Sequence, residues 1–552
     1  MPKTSTWKIL NKYPENPIKA ILKSRKIDDE DAFVSPSYDD LVDPFLIPGM
    51  KEAVKRIKKA TEKNEKVGVF MDYDADGIPG GTIIYKALNN LGLEVFPYVP
   101  RREDGYGVNI EAVDKFKKLG VSLMVTVDCG IRNLKEIKRA KEIGIETIVT
   151  DHHELGAELP SSINVHPLIT LKNKMKFRDF SGGGVAFLLA KALSKKPGQE
   201  KWLLDLAAIS SVADVVTLRS DNRLIVKFGL VVLNKTRNLG LSELIKIAGI
   251  KFGKIGTYEI GYMIAPRINA AGRVSHPEKS FRLLTTEDPK EARELANELN
   301  DLNVERQDAL EVAQTQAEKD VEKQKLFENK IIIVKNRNWP EGIIGLVAGK
   351  LVQKYYRPVI ALNERDGKMK GSARSIPGIN VTDLIGESAK HLVSFGGHEQ
   401  AAGLLLEEKN YLKFEKSILN NAQNIDDKLY QKSFVVDALV EVDQVNMDLA
   451  RKLERLEPFG PGNKRPIFAL ESVKIVEARY VGREEKHLRL KIEKSNQSHH
   501  IIAFYFENNG FDIRKDDIYD LAFSVKAGEF NGEKKLDLIL ESANLASRIN
   551  EK

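Results

Sequence analysis

Between residues 46 and 170 the apolar positions alternate between two periods. Met50, Ala53, Val54 and Ile57 are spaced three or four apart, the repeat of one helix face, and predict a helix over 49–63. The unbroken run Val67-Gly-Val-Phe70 after it predicts a strand over 67–72. The pattern then repeats. Helix 80–91 precedes strand 94–99, helix 110–119 precedes strand 122–128, helix 133–143 precedes strand 146–150, and a further strand is expected at 162–166. Helices of this length alternating with short apolar strands predict a parallel, doubly wound sheet. In such a sheet ligands bind at the carboxyl ends of the strands.

Residues 183–245 read as mainly helical. Over 286–326 the positions Ala292, Leu295, Leu299 and Leu302 keep helical spacing, with no Gly or Pro after Pro289, so one long helix is expected to link two domains. A second α/β pattern starts at Lys330-Ile-Ile-Ile-Val334 and continues through helix 342–355 and strand 358–362. The last 120 residues carry short apolar runs at 434–440, 472–476, 487–492, 501–506 and 536–540, which predict a small β-barrel. The expected organisation is α/β throughout the larger part. It comprises a lead-in over 1–45, a parallel-sheet domain over 46–285, the linking helix over 286–326, a smaller α/β domain over 327–428 and a barrel over 429–552.

Composition narrows this picture. Of 552 residues, 42% are hydrophobic, enough for ordinary cores, and no stretch approaches the roughly 20 apolar residues that span a bilayer. The N-terminus lacks the apolar core of a signal peptide, so a cytoplasmic protein without membrane contact is expected. The single cysteine, Cys129, excludes an internal disulfide and a cysteine zinc site. With no histidine beside it, Cys129 reads as a small buried residue next to Asp128 rather than a nucleophile. A net charge of +7 suits a polyanionic partner, but many proteins share it.

The chemistry lies at the strand ends. Asp72-Tyr-Asp74-Ala-Asp76-Gly77 follows the first strand, Asp128 the third and Asp151-His152-His153 the fourth. Carboxylates two apart project to one side of an extended segment. Oxygen ligands suit Mg²⁺ and Mn²⁺, and histidine nitrogen favours Mn²⁺. The spacing of an EF-hand is missing. Two adjacent histidines cannot easily face one ion, so one is expected to bind metal and the other to touch a phosphate or a water. Asp214 sits in the apolar run Val212–Val216, where a buried carboxylate is costly unless paired or metal-bound. Gly182-Gly-Gly184 reads either as a loop entering a helix over 185–195 or as a phosphate contact.

These motifs carry a resemblance. Asp-x-Asp-x-Asp-Gly, Val-Asp-Cys-Gly, Asp-His-His and Val-Ala-Asp-Val-Val resemble the four ordered motifs of the DHH phosphoesterase superfamily. Pro266-Arg-Ile-Asn-Ala-Ala-Gly-Arg273 resembles a signature of its RecJ branch. Gly371-Ser-Ala-Arg-Ser-Ile-Pro-Gly378 and Phe395-Gly-Gly-His-Glu-Gln-Ala-Ala-Gly403 resemble the associated DHHA1 domain, and Pro458-Phe-Gly-Pro-Gly-Asn463 with the β-rich segment resembles its oligonucleotide-binding (OB) barrel.

The resemblance covers about 45 to 545 and implies a 5′→3′ exonuclease specific for single-stranded DNA, acting in DNA repair and recombination with two Mn²⁺ or Mg²⁺ ions. It implies metal ligands Asp74, Asp76, Asp128, His152 and Asp214, with Asp72 adjacent, His153 near the phosphate, and Asp76 or Asp128 bridging. Asp76, Asp128, His152 and His153 are the expected catalytic residues. Substrate contacts are expected from Arg101, Arg267, Asn269, Arg273, Ser372, Arg374, Gly396, Gly397 and His398, the last five around a terminal phosphate. In the barrel, Tyr480, Arg483, Lys486, His487, Arg489, Tyr505 and Phe506 interleave aromatic and basic character for stacking on unpaired bases. Single-stranded DNA is the expected partner, with a single-strand-binding protein and a helicase as further ones. The chain departs from many relatives at Phe70-Met71 and at Pro79. Two rival readings share the metal site. One is a phosphodiesterase for short oligoribonucleotides or cyclic dinucleotides, which would lack the barrel. The other is a non-catalytic replication scaffold, which would lack ligands.

Overall fold

A computed structural model describes residues 7–169, 177–431, 433–482, 485–504, 513–530 and 533–547. The chain divides into two compact units, one over Leu41–Gln431, the other joining residues 1–40 to 432–552.

In the larger unit, five strands form an all-parallel sheet. Their spatial order is Glu94–Tyr98, Lys66–Met71, Leu123–Val127, Glu146–Thr150, Ile163–Val165. In chain order this reads 2-1-3-4-5, so the winding reverses between the first and third strands, where a crevice opens at the carboxyl ends. The helix Gly77–Asn90 starts in that crevice and is buried along almost all of its first two turns. Pro79 falls in its first turn, where a missing N–H costs no helical bond. Phe70 and Met71 are fully buried, Phe70 stacked on Tyr98 at 5.5 Å and Met71 packed where Gly81 leaves room. Neither departure exposes an unsatisfied group.

The expected linking helix is a single 35-residue helix, Pro289–Lys323, with Asp288 as N-cap. It leads into a mixed five-stranded sheet built from Ile332–Lys335, Val359–Arg365, Lys368–Arg374, Ala401–Glu407 and the edge strand Ser394–His398. The helix Ala265–Val274 meets the turn Glu341–Ile343 that follows the first strand of this sheet, the backbone of Gly342 lying against that of Arg273, too close for any Cβ at Gly342. Arg273 Nη1 also donates to the Gly342 carbonyl at 2.6 Å.

In the smaller unit, five strands close a ring: Ile467–Val481, His487–Lys494, Gln497–Ala503, Glu533–Ser547 and Ile518–Phe530, with Ile467–Val481 also paired to Ile518–Phe530. Three of these strands run to 15, 13 and 15 residues, longer than the apolar runs predicted. Register shifts at Ile475/Glu477 and Leu470/Val473 let Ile467–Val481 bend around the barrel. The apolar pattern marked only the half facing the core. Tyr505, Phe506 and Arg483 lie outside the described residues.

Residues 7–40 are not a free lead-in. Trp7–Ile9 pairs in parallel with Phe434–Val436, and Ile18, Ile21 and Leu22 enter the barrel core. Asn463 closes this end. Its Nδ2 donates to the carbonyls of Leu456 and Pro458, both at 2.9 Å, and its Oδ1 accepts from Arg25 at 2.6 Å. Asn463→Ala removes these three hydrogen bonds while Arg25 keeps its ion pair to Asp437, an expected cost of about 2 kcal/mol. Thermal unfolding with a lowered midpoint checks this.

Candidate metal centre

The four motifs converge in the crevice. Asp72 and Asp128 continue their strands by one ladder bond each, Asp72 N–H to the Val127 carbonyl at 3.2 Å and Asp128 N–H to that of Thr150 at 3.0 Å. Asp128 sits at φ +61°, a left-handed conformation costly for a non-glycine residue, of the kind that clusters at active sites. Asp214 arrives differently, as the C-cap of helix Leu204–Ala213. Its carboxylate keeps 32% of its exposure, so it is not the buried group the apolar run suggested.

Three ligand groups form, each with donor atoms within 4.8 Å: Asp76, His152 and Asp214; Asp72, Asp74 and Asp128; and Asp128, His152 and His153. His152 Nε2 lies 3.1 Å from Asp128 Oδ1, 3.6 Å from Asp76 Oδ2 and 3.8 Å from Asp214 Oδ2. His152 Nε2, Asp128 Oδ1 and Asp72 Oδ1 are all buried without a hydrogen-bond partner. Such orphaned atoms are expensive unless something charged binds them. Burial, and then the neighbouring carboxylates, push Asp128 well above the usual carboxylate range. Burial lowers His152, so its imidazole is neutral and free to donate its lone pair. This donor set fits divalent cations.

The rest of the triplet works as support. Asp151 is buried, and its Oδ1 accepts the N–H groups of His152 and His153 and His153 Nδ1, while Oδ2 accepts from Ile131 at 3.0 Å. Against burial, these bonds hold Asp151 at about 2, and no helix follows it. His153 is pulled the other way from His152. Although burial opposes it, the bond to Asp151 raises its pKa, so it is the readier of the two to carry a proton. Cys129 is fully buried, which pushes its thiol far up and leaves it inert.

Some contributors gave no sequence signal or an open one. The helix Gly182–Leu193 aims its first N–H groups at Asp76, from Gly182 to Oδ2 at 2.8 Å and Gly183 to Oδ1 at 2.7 Å. Ser210 Oγ donates to the same Oδ1. The three glycines therefore start a helix and grip a carboxylate within the protein. Tyr106 donates to the Asp128 carbonyl at 3.0 Å, and its oxygen lies 2.9 Å from His153 Nδ1. Tyr106→Phe loses both contacts, and turnover is expected to fall about tenfold with the fold intact, measured as kcat beside a circular dichroism spectrum.

The expected substrate residues divide. Arg267 donates to Asn300 at 3.1 Å and to the Met263 carbonyl at 2.7 Å. Asn269 Oδ1 accepts the Ala75 N–H at 2.9 Å, bracing the Asp74–Asp76 turn. Arg374 reaches Ser372 at 3.0 Å. Burial, followed by the charges of Arg102 and Arg306, holds Arg273 down to about 10, and Arg374 adds to that group. Arg102, Arg267, Arg273, Arg306 and Arg374 make no salt bridge among the described residues. Clustered guanidinium groups without acidic partners suit a polyanion. Arg102 and Arg306 were missed in the sequence. Arg101 instead lines a separate cleft with Tyr98, Asp104, Glu111 and His276. Gly396, Gly397 and His398 occupy the exposed edge strand rather than an enclosed pocket. Around Gly396 and its partner Gly403 no atom lies within 4 Å of where a Cβ would stand, so bare backbone faces outward.

Comparisons bear on this geometry. A family model for the DHH family, N-terminal domain, matches residues 66–211. Models for the DHHA1 domain and the RecJ OB domain match 328–424 and 436–542. A Thermus thermophilus protein named single-stranded-DNA-specific exonuclease RecJ is 34% identical over 88% of this chain and 72% of its own length. The Escherichia coli protein of that name is 31% identical over 90% of each. One of Bacillus subtilis is 36% identical over 93% of this chain, which spans 65% of that protein. The crystal structure of Thermus thermophilus RecJ in complex with Mn²⁺ superposes with a TM-score of 0.84 at 28% identity, covering 100% of this chain and 81% of that one. A further structure, an exonuclease RecJ bound to manganese, gives 0.61 at 35% identity over 70% of this chain and 97% of that one.

Proposed function

This chain belongs to the RecJ family of the DHH phosphoesterases, and from that premise we propose that it degrades single-stranded DNA from the 5′ end by metal-dependent phosphodiester hydrolysis, in DNA repair and recombination. The observation that carries the reading is the pair of ligand groups meeting at Asp128 and His152, with three buried donor atoms left unpartnered.

In this reading Asp76, His152 and Asp214 would hold one ion and Asp72, Asp74 and Asp128 the other. Asp128 would be better placed than Asp76 to serve both, because both oxygens of Asp76 already accept bonds from Gly182, Gly183 and Ser210. Two Mn²⁺ or Mg²⁺ ions supply Lewis acidity that makes a water nucleophilic near neutral pH and offsets charge on the phosphoryl oxygens. His153, oriented by Asp151 and Tyr106, donates to a phosphoryl oxygen. Arg102, Arg267, Arg273 and Arg306 neutralise the phosphodiester backbone, and Arg374 with Ser372, Gly396, Gly397 and His398 receives the terminal phosphate. A cytoplasmic setting, with a single-strand-binding protein and a helicase as partners, completes the reading. It agrees with the finding that no helix among the described residues is long and apolar enough to cross a membrane.

Digestion of 5′- and 3′-labelled single and double strands with Mn²⁺ tests it. Immediate release of the 5′ label from single strands is expected, with a shortening ladder from the 3′ label, intact duplex, and no reaction in chelator. Cleavage of dinucleotides alone would sink the assignment.

A further inference from the structure

Outside the metal centre, the segment Ile260–Ile264 winds as one π-helical turn between Thr257–Glu259 and helix Ala265–Val274. Such turns are rare in helices and frequent at functional sites. Tyr258 and Tyr262, one turn apart, stand together with ring centroids 4.8 Å apart and planes at 31°. They are 63% and 70% exposed, among the most exposed large side chains described.

Their position and charge say what they face. The turn packs on the helix that ends at Asp214, since a Cβ at Gly261 would lie 3.8 Å from Val212 Cγ1. Val215, immediately past Asp214, is 65% exposed and held at φ +61°, which leaves apolar surface beside the cluster. Lys251 and Lys254, with the half-exposed Phe252 between them, precede the tyrosines, and Arg267 follows. The intervening carboxylate of Glu259 is tied to the Gly256 N–H at 2.8 Å. Flat aromatic faces interleaved with cations, beside a phosphodiester-hydrolysing cluster, suit a nucleic acid whose bases are unpaired. An acidic or apolar protein surface would leave the ring faces or the cations without complement.

We propose that Tyr258 and Tyr262 form a stacking platform for unpaired nucleobases of the strand being degraded, an inference that rests on the reading under Proposed function. A base inside a duplex offers no free face to such a platform, so the platform favours single strands. Stacking needs no base-specific hydrogen bond, so it tolerates any sequence.

The test uses the full chain with Tyr258→Ala/Tyr262→Ala and Tyr258→Phe/Tyr262→Phe. The probes are a long single-stranded oligodeoxynucleotide carrying 2-aminopurine at successive positions and the p-nitrophenyl ester of thymidine 5′-monophosphate. For the alanine pair, KM on the long strand is expected to rise about tenfold or more, the loss of stacking on at least one base. The 2-aminopurine quenching seen on binding should disappear. Turnover of the ester, too short to reach the platform, should stay unchanged and show that the site is folded. The phenylalanine pair should match wild type. An unchanged KM with alanine overturns the platform, and so does a phenylalanine pair as impaired as the alanine pair, which would mean the hydroxyls matter instead. If wild type hydrolyses no single-stranded DNA, the functional reading fails by itself. The platform is then judged by the quenching, which needs only binding, and a wild type without quenching overturns it.

Discussion

Replacing Asp128 by asparagine will remove Mn²⁺-dependent hydrolysis, by about 10³-fold or more, while leaving the protein folded and able to bind single-stranded DNA. A loss of that size corresponds to about 4 kcal/mol of transition-state stabilisation. Asp128 takes part in two of the three ligand groups, so its loss weakens both ion positions together. The fold should survive, because the metal-free cluster works against it. Burial, followed by neighbouring carboxylates, pushes Asp72 and Asp128 well above the usual carboxylate range. A carboxyl raised in this way contributes stability below its unfolded value and loses it as pH rises towards its folded one. At neutral pH without metal the cluster is therefore destabilising, and Asp128→Asn removes one of the carboxyl groups whose burial among the others carries that cost. Two calorimetric results are expected: a metal-free Tm at or above wild type, and little of the Tm rise that Mn²⁺ gives wild type. Hydrolysis near the wild-type rate would contradict the assigned centre. The same measurements on His152→Ala should show the same loss of turnover.

Gly182→Ala should have the next largest effect, although the residue is not assigned to a metal. An added Cβ would come to 2.5 Å from Asp128 Cβ and 2.6 Å from its Oδ1. Relief requires the helix start to retreat, which withdraws the N–H groups that hold Asp76. Supporting groups of this kind typically contribute about 10–100-fold to metal affinity, and overpacking costs about 1–3 kcal/mol besides. Mn²⁺ titration followed by kcat/KM is expected to show both a weaker metal requirement curve and a lower plateau. Gly184→Ala is the control. Its Cβ would meet Ser181 Oγ at 3.2 Å and the Phe180 side chain at an ordinary 3.6 Å, contacts that a small shift relieves, so its activity should stay near wild type. Equal damage from both substitutions would assign the effect to general crowding at the buried helix start instead.

How much of this was legible beforehand differs from residue to residue. Asp72, Asp74, Asp76, Asp128, His152 and His153 were found because each directly follows an apolar strand run, and a parallel sheet gathers such ends on one edge. Asp214 was found by its motif, while its apolar neighbours wrongly suggested burial; it ends a helix at the crevice rim. Gly182 and Gly183 left two readings open, because nothing in a glycine run says which carboxylate its N–H groups will meet. Tyr106, Ser210, Arg102 and Arg306 had no local pattern. Each acts through partners far away in sequence, such as Ser210 on Asp76, 134 positions earlier. The pairing of Trp7–Ile9 with Phe434–Val436 was equally hidden, since a three-residue strand carries no periodicity.

The sequence by itself determined the alternating elements, the parallel sheet and the set of acidic and imidazole side chains at its strand ends. These follow from local periodicity and from side chains that keep their chemistry wherever they fold. Only the tertiary structure decided the 2-1-3-4-5 strand order, the place of Asp128 in two of the three ligand groups, the helix grip on Asp76, the gathering of arginines without acidic partners among the described residues, and the return of the N-terminal segment to the barrel. These depend on which surfaces meet through space, and strand order and helix packing are set by burying whole faces together rather than by any local run of residues.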